Sequence, residues 1–278
     1  MRLSPWLAGP LVAGVFVLLT WQERRRPLRR RVEPDIRHGV RNLAIAGAGA
    51  LTMVLVESPI VQPLARLVEQ RQWGVLGTLQ LPVWAQAAVG LVLMDYTFYV
   101  WHVLLHRAPF LWRFHAVHHV DLDLDTSTAL RFHFGELFLS VPWRAAQVAI
   151  IGLSPATFGI WQVWFALCVM FHHSNLGLPI HWERRINRIL VTPRMHGVHH
   201  SDRPEETNSN WSSGLTVWDW LHGTLRLDVP QEEIQIGVPA FQNPDSVVLP
   251  KLLRMPFQNQ PDYWRFPDGR ESEPRATP

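Results

Sequence analysis

The chain contains very little cysteine, lysine and charge. Its 278 residues include one cysteine, and charged residues make up 18%, below the roughly 25% of typical soluble chains. Because Cys168 has no partner, a disulfide framework and a cysteine-ligated zinc or iron–sulfur site are both excluded. The formal net charge is only +3, and Lys251 is the one lysine, so the positions of the arginines determine what the basic residues do.

The chain contains long runs without charged residues. Residues 3–21 carry no charge, which is about the length that a helix needs to cross a bilayer. The cluster of arginines follows this run rather than precedes it, and no small-residue cleavage site appears, so the run predicts a retained transmembrane helix and not a signal peptide. The eight arginines within residues 24–41 indicate that the loop after this helix is cytoplasmic. They indicate orientation, and nucleic acid is not an expected partner.

Further apolar stretches predict a polytopic helical protein. Residues 40–56, rich in Gly and Ala, and residues 81–105 predict two more spans, with residues 57–80 as the outer connection. Residues 137–153 and 156–171 are shorter and are separated by Ser154-Pro155, which favours a helical hairpin that either spans or re-enters the membrane. We therefore expect an all-α membrane bundle of about three transmembrane helices plus a hairpin.

Histidine is abundant and clustered, with 14 residues in the chain. Spacings of three and four place side chains on one face of a helix. Such spacings occur three times, and a further pair lies at the end of the predicted hairpin: His102-x-x-x-His106, His115-x-x-His118-His119, His196-x-x-His199-His200 and His172-His173.

Each of these patterns alone is common in proteins without a metal, but together they favour a metal centre. Imidazoles gathered this densely repel one another when protonated and are costly to bury, whereas a metal ion binds the neutral ring. A structural ion takes about four ligands, so eight or more histidines indicate two ions. Imidazole suits iron, zinc and copper alike, so the ligand type leaves the metal open. The expected architecture is thus a membrane bundle whose cytoplasmic, histidine-rich cap holds a dimetal site.

The histidine segments resemble the fatty acid hydroxylase / sterol desaturase superfamily of integral membrane, non-haem di-iron enzymes. The resemblance extends from Asp95 to Thr224 and is closest in YVWHVLLHRAPFLWRFHAVHHVD. Other similar segments are TALRFHFGE (128–136), FHHSN (171–175), TPRMHGVHH (192–200) and WDWLHGT (218–224). The chain departs from the common pattern at Val103, Phe134 and His222, where members often carry Arg, Pro and Phe.

The resemblance implies two iron ions, with zinc as a possible substituted metal, and dioxygen as co-substrate. The implied reaction is hydroxylation of a lipid C–H bond. Desaturation of a lipid or sterol at the same site remains an alternative, and a membrane metal transporter is a further one. The implied ligands are nine histidines: His102, His106, His115, His118, His119, His173, His196, His199 and His200.

Two aspartates are candidates to support the ligands. Ligating histidines usually donate their second N–H to a carboxylate or a carbonyl, and an acidic residue within a membrane span suggests function. We expect this role for Asp95 and Asp219, the alternative for Asp95 being a packing hydrogen bond with Tyr or Trp. Whether His133, His172 or His181 is a ligand stays open, while His38 and His222 are interpreted as structural.

The remaining predictions concern organisation and partners. We expect membrane anchor helices with an arginine-rich loop in residues 1–80, the catalytic domain in 81–228 and a cytoplasmic tail in 229–278, loosely ordered from residue 258 onward. No nucleotide-binding glycine loop or C-x-x-C-H haem motif occurs. An enzyme of this kind therefore needs a separate electron donor, such as a ferredoxin, a cytochrome b5-like protein or a pterin. A bacterial inner membrane is favoured over the endoplasmic reticulum.

Overall fold

A computed structural model describes residues 5–79 and 81–275, and this part of the chain contains helices and loops without a β-strand. The long helices are α1 (Pro5–Arg25), α2 (Asp35–Thr52), α3 (Ser58–Arg71), α5 (Val83–Arg107), α7 (Phe134–Ile151) and α8 (Pro155–His173). The shorter helices are α4 (Gly74–Thr78), α6 (Pro109–His119), α9 (Ile180–Ile186), α10 (Pro193–His199), α11 (Pro204–Thr207), α12 (Val217–His222) and α13 (Leu249–Arg254). The prediction of an all-α fold is confirmed.

Within the described residues, three helical stretches are long and apolar enough to cross a membrane: Asp35–Thr78, Val83–Arg107 and Pro155–His173. They contain the predicted second and third spans and the second arm of the predicted hairpin. The predicted span 3–21 falls within α1, except for residues 3 and 4, which lie outside the described residues. Large apolar side chains on these helices face outward, as at Leu55 and Trp84, which are 68% and 76% exposed. Such exposure suits contact with lipid and would be unfavourable in water.

The structure differs from the sequence prediction after residue 56. Residues 57–80 were expected to form an outer connection, but α2 continues through a π-helical turn at Met53–Glu57 into α3. Val61, Ala65 and Val68 are buried there against α5, α7 and α8. An apolar face with helical spacing, rather than a change in composition, thus extends the helix beyond the predicted span.

Two glycines close the end of the bundle that lies away from the histidines. Gly152 ends α7 with φ +88° and Gly74 begins α4 with φ +79°. Residues other than glycine rarely adopt this backbone conformation. A Cβ atom at Gly74 would lie 2.4 Å from the backbone nitrogen of Gly152. Ser154 then starts α8, because its hydroxyl accepts a hydrogen bond from the amide of Thr157 at 3.1 Å. The expected break at Ser154-Pro155 is therefore a helix cap.

The C-terminal segment packs on α6 and is not a loose tail. Tyr263 is only 8% exposed and its ring lies 5.7 Å from that of Trp112 on α6. Nearer the end, the Arg275 guanidinium donates to Glu206 at 2.8 Å. The expectation of loose order from residue 258 failed because it rested on polar composition, whereas a few aromatic residues are enough to bind the segment to the histidine-bearing helix.

Candidate metal centre

Four helix ends bring the predicted histidines together. The end of α5 carries His102 and His106, the last two turns of α6 carry three histidines, and α8 ends at His173. The fourth element, α10, supplies the second H-x-x-H-H segment. Spacings of three and four residues place each set on one helix face, and packing turns all these faces inward.

The nine predicted ligands form two groups, in each of which the nitrogens all lie within 4.8 Å of one another. The first group is His102, His106, His115, His119 and His199. The second group is His118, His173, His196 and His200. Spacing along the chain suggests that the histidines of one segment bind together. In the structure, however, each H-x-x-H-H segment is divided between the two groups.

Hydrogen bonds outside the groups determine which ring nitrogen points inward. His102 Nδ1 donates to the Trp211 carbonyl at 2.7 Å, and His199 Nδ1 donates to the Ser209 carbonyl at 2.8 Å. In a neutral ring the other nitrogen then carries a lone pair. The two Nε2 atoms face each other at 3.1 Å, so two lone pairs point at the same space.

The second group has the same arrangement. His173 Nδ1 donates to the Val169 carbonyl at 2.8 Å, and its Nε2 lies 2.9 Å from His118 Nε2 and 3.0 Å from His196 Nε2. Ligands at right angles around an ion, with bonds of about 2.1 Å, are separated by about 3.0 Å. The spacing of these nitrogens therefore fits the coordination of a cation.

Unpartnered nitrogens complete the fit. The Nε2 atoms of His106, His115 and His119 are buried and have no hydrogen-bond partner within the described part of the chain. Buried polar atoms are rarely left without a partner, unless an ion or water takes that place. The donor set of two all-imidazole groups suits two iron, zinc or copper ions.

Burial keeps the rings of His119, His199 and His200 neutral. Desolvation lowers the pKa of His199 to about 3, and neighbouring imidazoles add to the effect. Burial, followed by the charge of nearby histidines, also lowers the pKa values of His119 and His200 well below the ordinary value. The rings are therefore unprotonated at neutral pH, which is the form that binds metal.

Neither predicted aspartate contacts a histidine. Asp95 accepts hydrogen bonds from the amide of Leu215 at 2.9 Å and from the indole of Trp218 at 2.7 Å. Asp219 accepts from the amide of Trp211 at 2.9 Å, and the Trp211 carbonyl is the acceptor for His102. Both aspartates thus hold the loop that orients His102, one step further from the centre than expected.

A carboxylate that contacts one of the predicted ligands was not singled out in the sequence. Glu136, in the first turn of α7, accepts from His115 Nδ1 at 3.1 Å. It is only 4% exposed. The sequence signal that could have identified it is an acidic residue at the start of an apolar helix, because such a residue needs a partner when the helix is buried.

A buried charge network holds the end of α6. Asp121 follows the first H-x-x-H-H segment and accepts hydrogen bonds from His38, Arg41 and Arg131 at 3.0, 3.0 and 3.2 Å. Burial raises the pKa of Asp121, but Arg131 and His38 outweigh that effect, so its pKa falls well below the ordinary value. Glu33, His38 and Asp121 also come close enough to suggest a metal site. However, the Arg41 guanidinium bridges Glu33 and Asp121, so arginine supplies the positive charge.

The other histidines have separate environments. His172 is buried, and its ring lies 4.0 Å from that of His196, next to the second group. His133 caps α7 by accepting from the amide of Gly135 at 3.0 Å, and His181 is exposed on α9. His222 stacks on Tyr99 with the ring centroids 5.0 Å apart and so packs as an aromatic side chain. Of these, only His172 lies beside the centre.

Residues 87–224, about half of the chain, match the family model described as fatty acid hydroxylase. This chain belongs to the fatty acid hydroxylase family. The matched fatty acid hydroxylase region contains all nine clustered histidines as well as Asp95, Glu136 and Asp219. The helices α1, α2 and α3 precede it, and the C-terminal segment follows it.

Three curated relatives illustrate the range of the fatty acid hydroxylase family. Ornithine lipid hydroxylase OlsE of Rhizobium tropici is 30% identical over 160 residues, 57% of this chain and 47% of that protein. Alkylglycerol monooxygenase of Xenopus tropicalis is 32% identical over 145 residues, 50% of this chain and 30% of that protein. Human cholesterol 25-hydroxylase is 32% identical over 142 residues, 49% of each chain. The chain thus spans about half or less of the length of these relatives, and no solved structure matches it.

Proposed function

We propose that this chain is a membrane oxygenase that hydroxylates a C–H bond of a lipid. It would hold two iron ions and use dioxygen together with electrons from a separate donor. One observation carries the proposal: inward Nε2 atoms with lone pairs face one another at 2.9–3.1 Å in both histidine groups. The relatives named as hydroxylases of ornithine lipid and of cholesterol, and as a monooxygenase of alkylglycerol, support a lipid substrate.

The chain's own residues would hold the metals and exclude water. The first group, with His102, His199 and three further histidines, would hold one ion, and the second group, with His118 and His173, the other. The Trp211, Ser209 and Val169 carbonyls keep the rings oriented. When bound, iron supplies the capacity to activate dioxygen towards an unactivated C–H bond.

The reacting carbon would approach from the membrane side. A small cavity beside the histidines is walled by Phe98, Phe132, Phe165 and Val169. These side chains suit an aliphatic chain and offer no hydrogen bonds to water. An apolar wall on this side and buried histidines on the other would present a lipid carbon while keeping solvent away.

The domain limits and the orientation belong to the same proposal. Residues 81–228 would form the catalytic domain, with 1–80 as the membrane anchor and 229–278 as a cytoplasmic segment that covers α6. The arginines of residues 24–41 support a cytoplasmic active site. Some of them are engaged within the fold, since Arg29 donates to the Pro193 carbonyl at 2.8 Å and Arg41 binds Glu33. The donor class and a bacterial inner membrane stay predictions.

Comparison of the lipids of cells with and without the chain tests the proposal. We expect one lipid class to gain one oxygen atom, and His173→Ala to abolish that gain together with part of the bound iron. A loss of two hydrogens would instead indicate desaturation at the same site. Loosely bound metal below one ion per chain, with unchanged lipids, would contradict the proposal and favour transport.

A further inference from the structure

A long groove lies between α1, α2, α3 and α8, with a cavity volume of about 1020 Å³. Its walls come from residues such as Val12, Leu43 and Val163 and are mostly apolar. Three of its four helices precede residue 87, where the family match begins. The groove therefore lies between helices that precede the matched region and α8 within it.

Small side chains keep the groove open. Gly9 and Ala13 line it on α1, and Ala156 and Gly159 line it on α8. In membranes such residues usually allow two helices to pack closely. Here a Cβ atom added at Gly9 or Gly159 would meet no atom within 4 Å. The two helices therefore leave room between them for another molecule.

The half of the groove nearer the start of α8 is more polar. Gln62 and Arg66 on α3 and Gln162 on α8 line it, where α3 packs against the first half of α8. A guanidinium binds phosphate or carboxylate oxygens well, and amide groups can add hydrogen bonds. An apolar groove that carries these groups in one half is complementary to an amphiphile with an acidic headgroup.

The length of the groove suits one acyl chain. Along α8 its lining extends from Ala156 to Met170, about 21 Å at a rise of 1.5 Å per residue. One leaflet of a bilayer has a hydrocarbon thickness of about 15 Å. The groove is therefore long enough for a whole acyl chain whose end lies at Met170.

The end of the groove at Met170 lies one side-chain layer from the histidines. Met170 lines the groove, whereas its neighbour Val169 lines the small cavity at the centre. In the same way Leu130 lines the groove, and Phe132 stacks on His118 at 4.7 Å. Methionine changes its rotamer readily, so this partition can open with little rearrangement.

We propose that this groove binds an acyl chain of an anionic phospholipid, with the headgroup at Arg66 and the end of the chain at Met170. Binding itself does not depend on the proposed function. The proposal rests on that function in one respect: the carbons brought to the metal centre would be those distant from the headgroup.

Photo-cross-linking tests the groove directly. The full chain is placed in vesicles with phosphatidylglycerol that carries a diazirine at the end of one acyl chain. We expect labelling near Met170 and Leu130. Gly159→Leu fills the groove and should lower this labelling about tenfold, the effect of displacing about two chain methylenes. Gly14→Leu is the matched control, because Gly14 is also free of contacts within 4 Å but does not line the groove.

A second experiment tests whether the headgroup binds at Arg66. Arg66→Gln should weaken labelling by phosphatidylglycerol more than labelling by the matching phosphatidylcholine probe. Equal loss with both lipids would refute the headgroup assignment. Ala156→Leu repeats the groove-filling test should Gly159→Leu fail to fold, as judged by thermal unfolding.

The remaining outcomes separate the two proposals. Equal labelling of Gly159→Leu and Gly14→Leu, or cross-links between two copies of the chain through this face, would overturn the groove. If the lipids gain oxygen but Gly159→Leu leaves the labelling unchanged, the proposed function is supported and the groove proposal is refuted. Labelling as expected, without any oxygen gain in the lipids, would refute the function and retain the groove.

Discussion

Replacing Asp121 by Asn tests whether the buried charge network positions the histidines of α6. Asp121 has no exposed surface and lies among two arginines and His38. Asparagine keeps the size and one acceptor oxygen but removes the negative charge. The guanidinium of Arg131, itself without exposed surface, would then lose its ion-pair partner.

The size of the effect follows from burial. Removing one partner of a buried ion pair lowers the free energy of unfolding by about 3–5 kcal/mol. Because asparagine still offers one acceptor oxygen, we expect a loss near the lower limit, about 3 kcal/mol. For a chain of this size that corresponds to a fall in Tm of roughly 6–12 °C. Because Asp121 lies two residues after His119, the end of α6 should loosen, and the amount of bound metal should fall as well.

The assay is thermal unfolding of the metal-free protein in detergent, followed by metal analysis of the loaded protein. Asp245→Asn is the matched control, since its side chain is 85% exposed and its nearest cation, Arg37, is 4.0 Å away. We expect the control to change stability by less than about 0.5 kcal/mol. A similar Tm for both variants would refute the view that Asp121 holds α6.

Three further predictions concern the centre and its surroundings. Glu136→Ala removes the acceptor of His115 and should weaken metal binding about 10–100-fold in a chelator competition. Gly197→Ala places a Cβ atom 1.7 Å from Arg29 Nη2. This clash should lower the free energy of unfolding by about 1–3 kcal/mol. In the double variant with Arg29→Ala, most of the additional loss caused by Gly197→Ala should disappear. Because burial lowers the pKa of His199 from 6.5 to about 3, the unfolded chain binds more protons between these values, so the Tm of the metal-free protein should fall as pH drops below 6.5.

Each of these has a clear contrary result. Equal loss of metal in Glu136→Ala and in Glu69→Ala, an exposed site, would show that the contact with His115 is unimportant. Gly39→Ala has no neighbour within 4 Å, so a destabilisation equal to that of Gly197→Ala would exclude a clash as the cause. A Tm that rises or stays constant from pH 7.5 to about 5 would contradict neutral, buried imidazoles.

The sequence contained more information about the ligands than about their supports. Histidines three and four residues apart lie on one helix face by geometry alone, so the ligand candidates could be predicted without the fold. Their partners are mostly backbone carbonyls, such as those of Trp211 and Ser209. Any residue type supplies a carbonyl, and therefore no sequence pattern marks these positions.

The sequence by itself determined the helical, apolar character of the chain, its histidine faces and the orientation signal in the arginine loop, because these depend on composition and local periodicity. Only the tertiary structure decided how the histidines divide. His118 and His119 are neighbours in the chain but point into different groups, since adjacent helical residues lie about 100° apart. His118 faces His173 at the end of α8, whereas His119 faces His106 at the end of α5. Long-range packing also placed Glu136 on His115 and kept the groove beside α8 open.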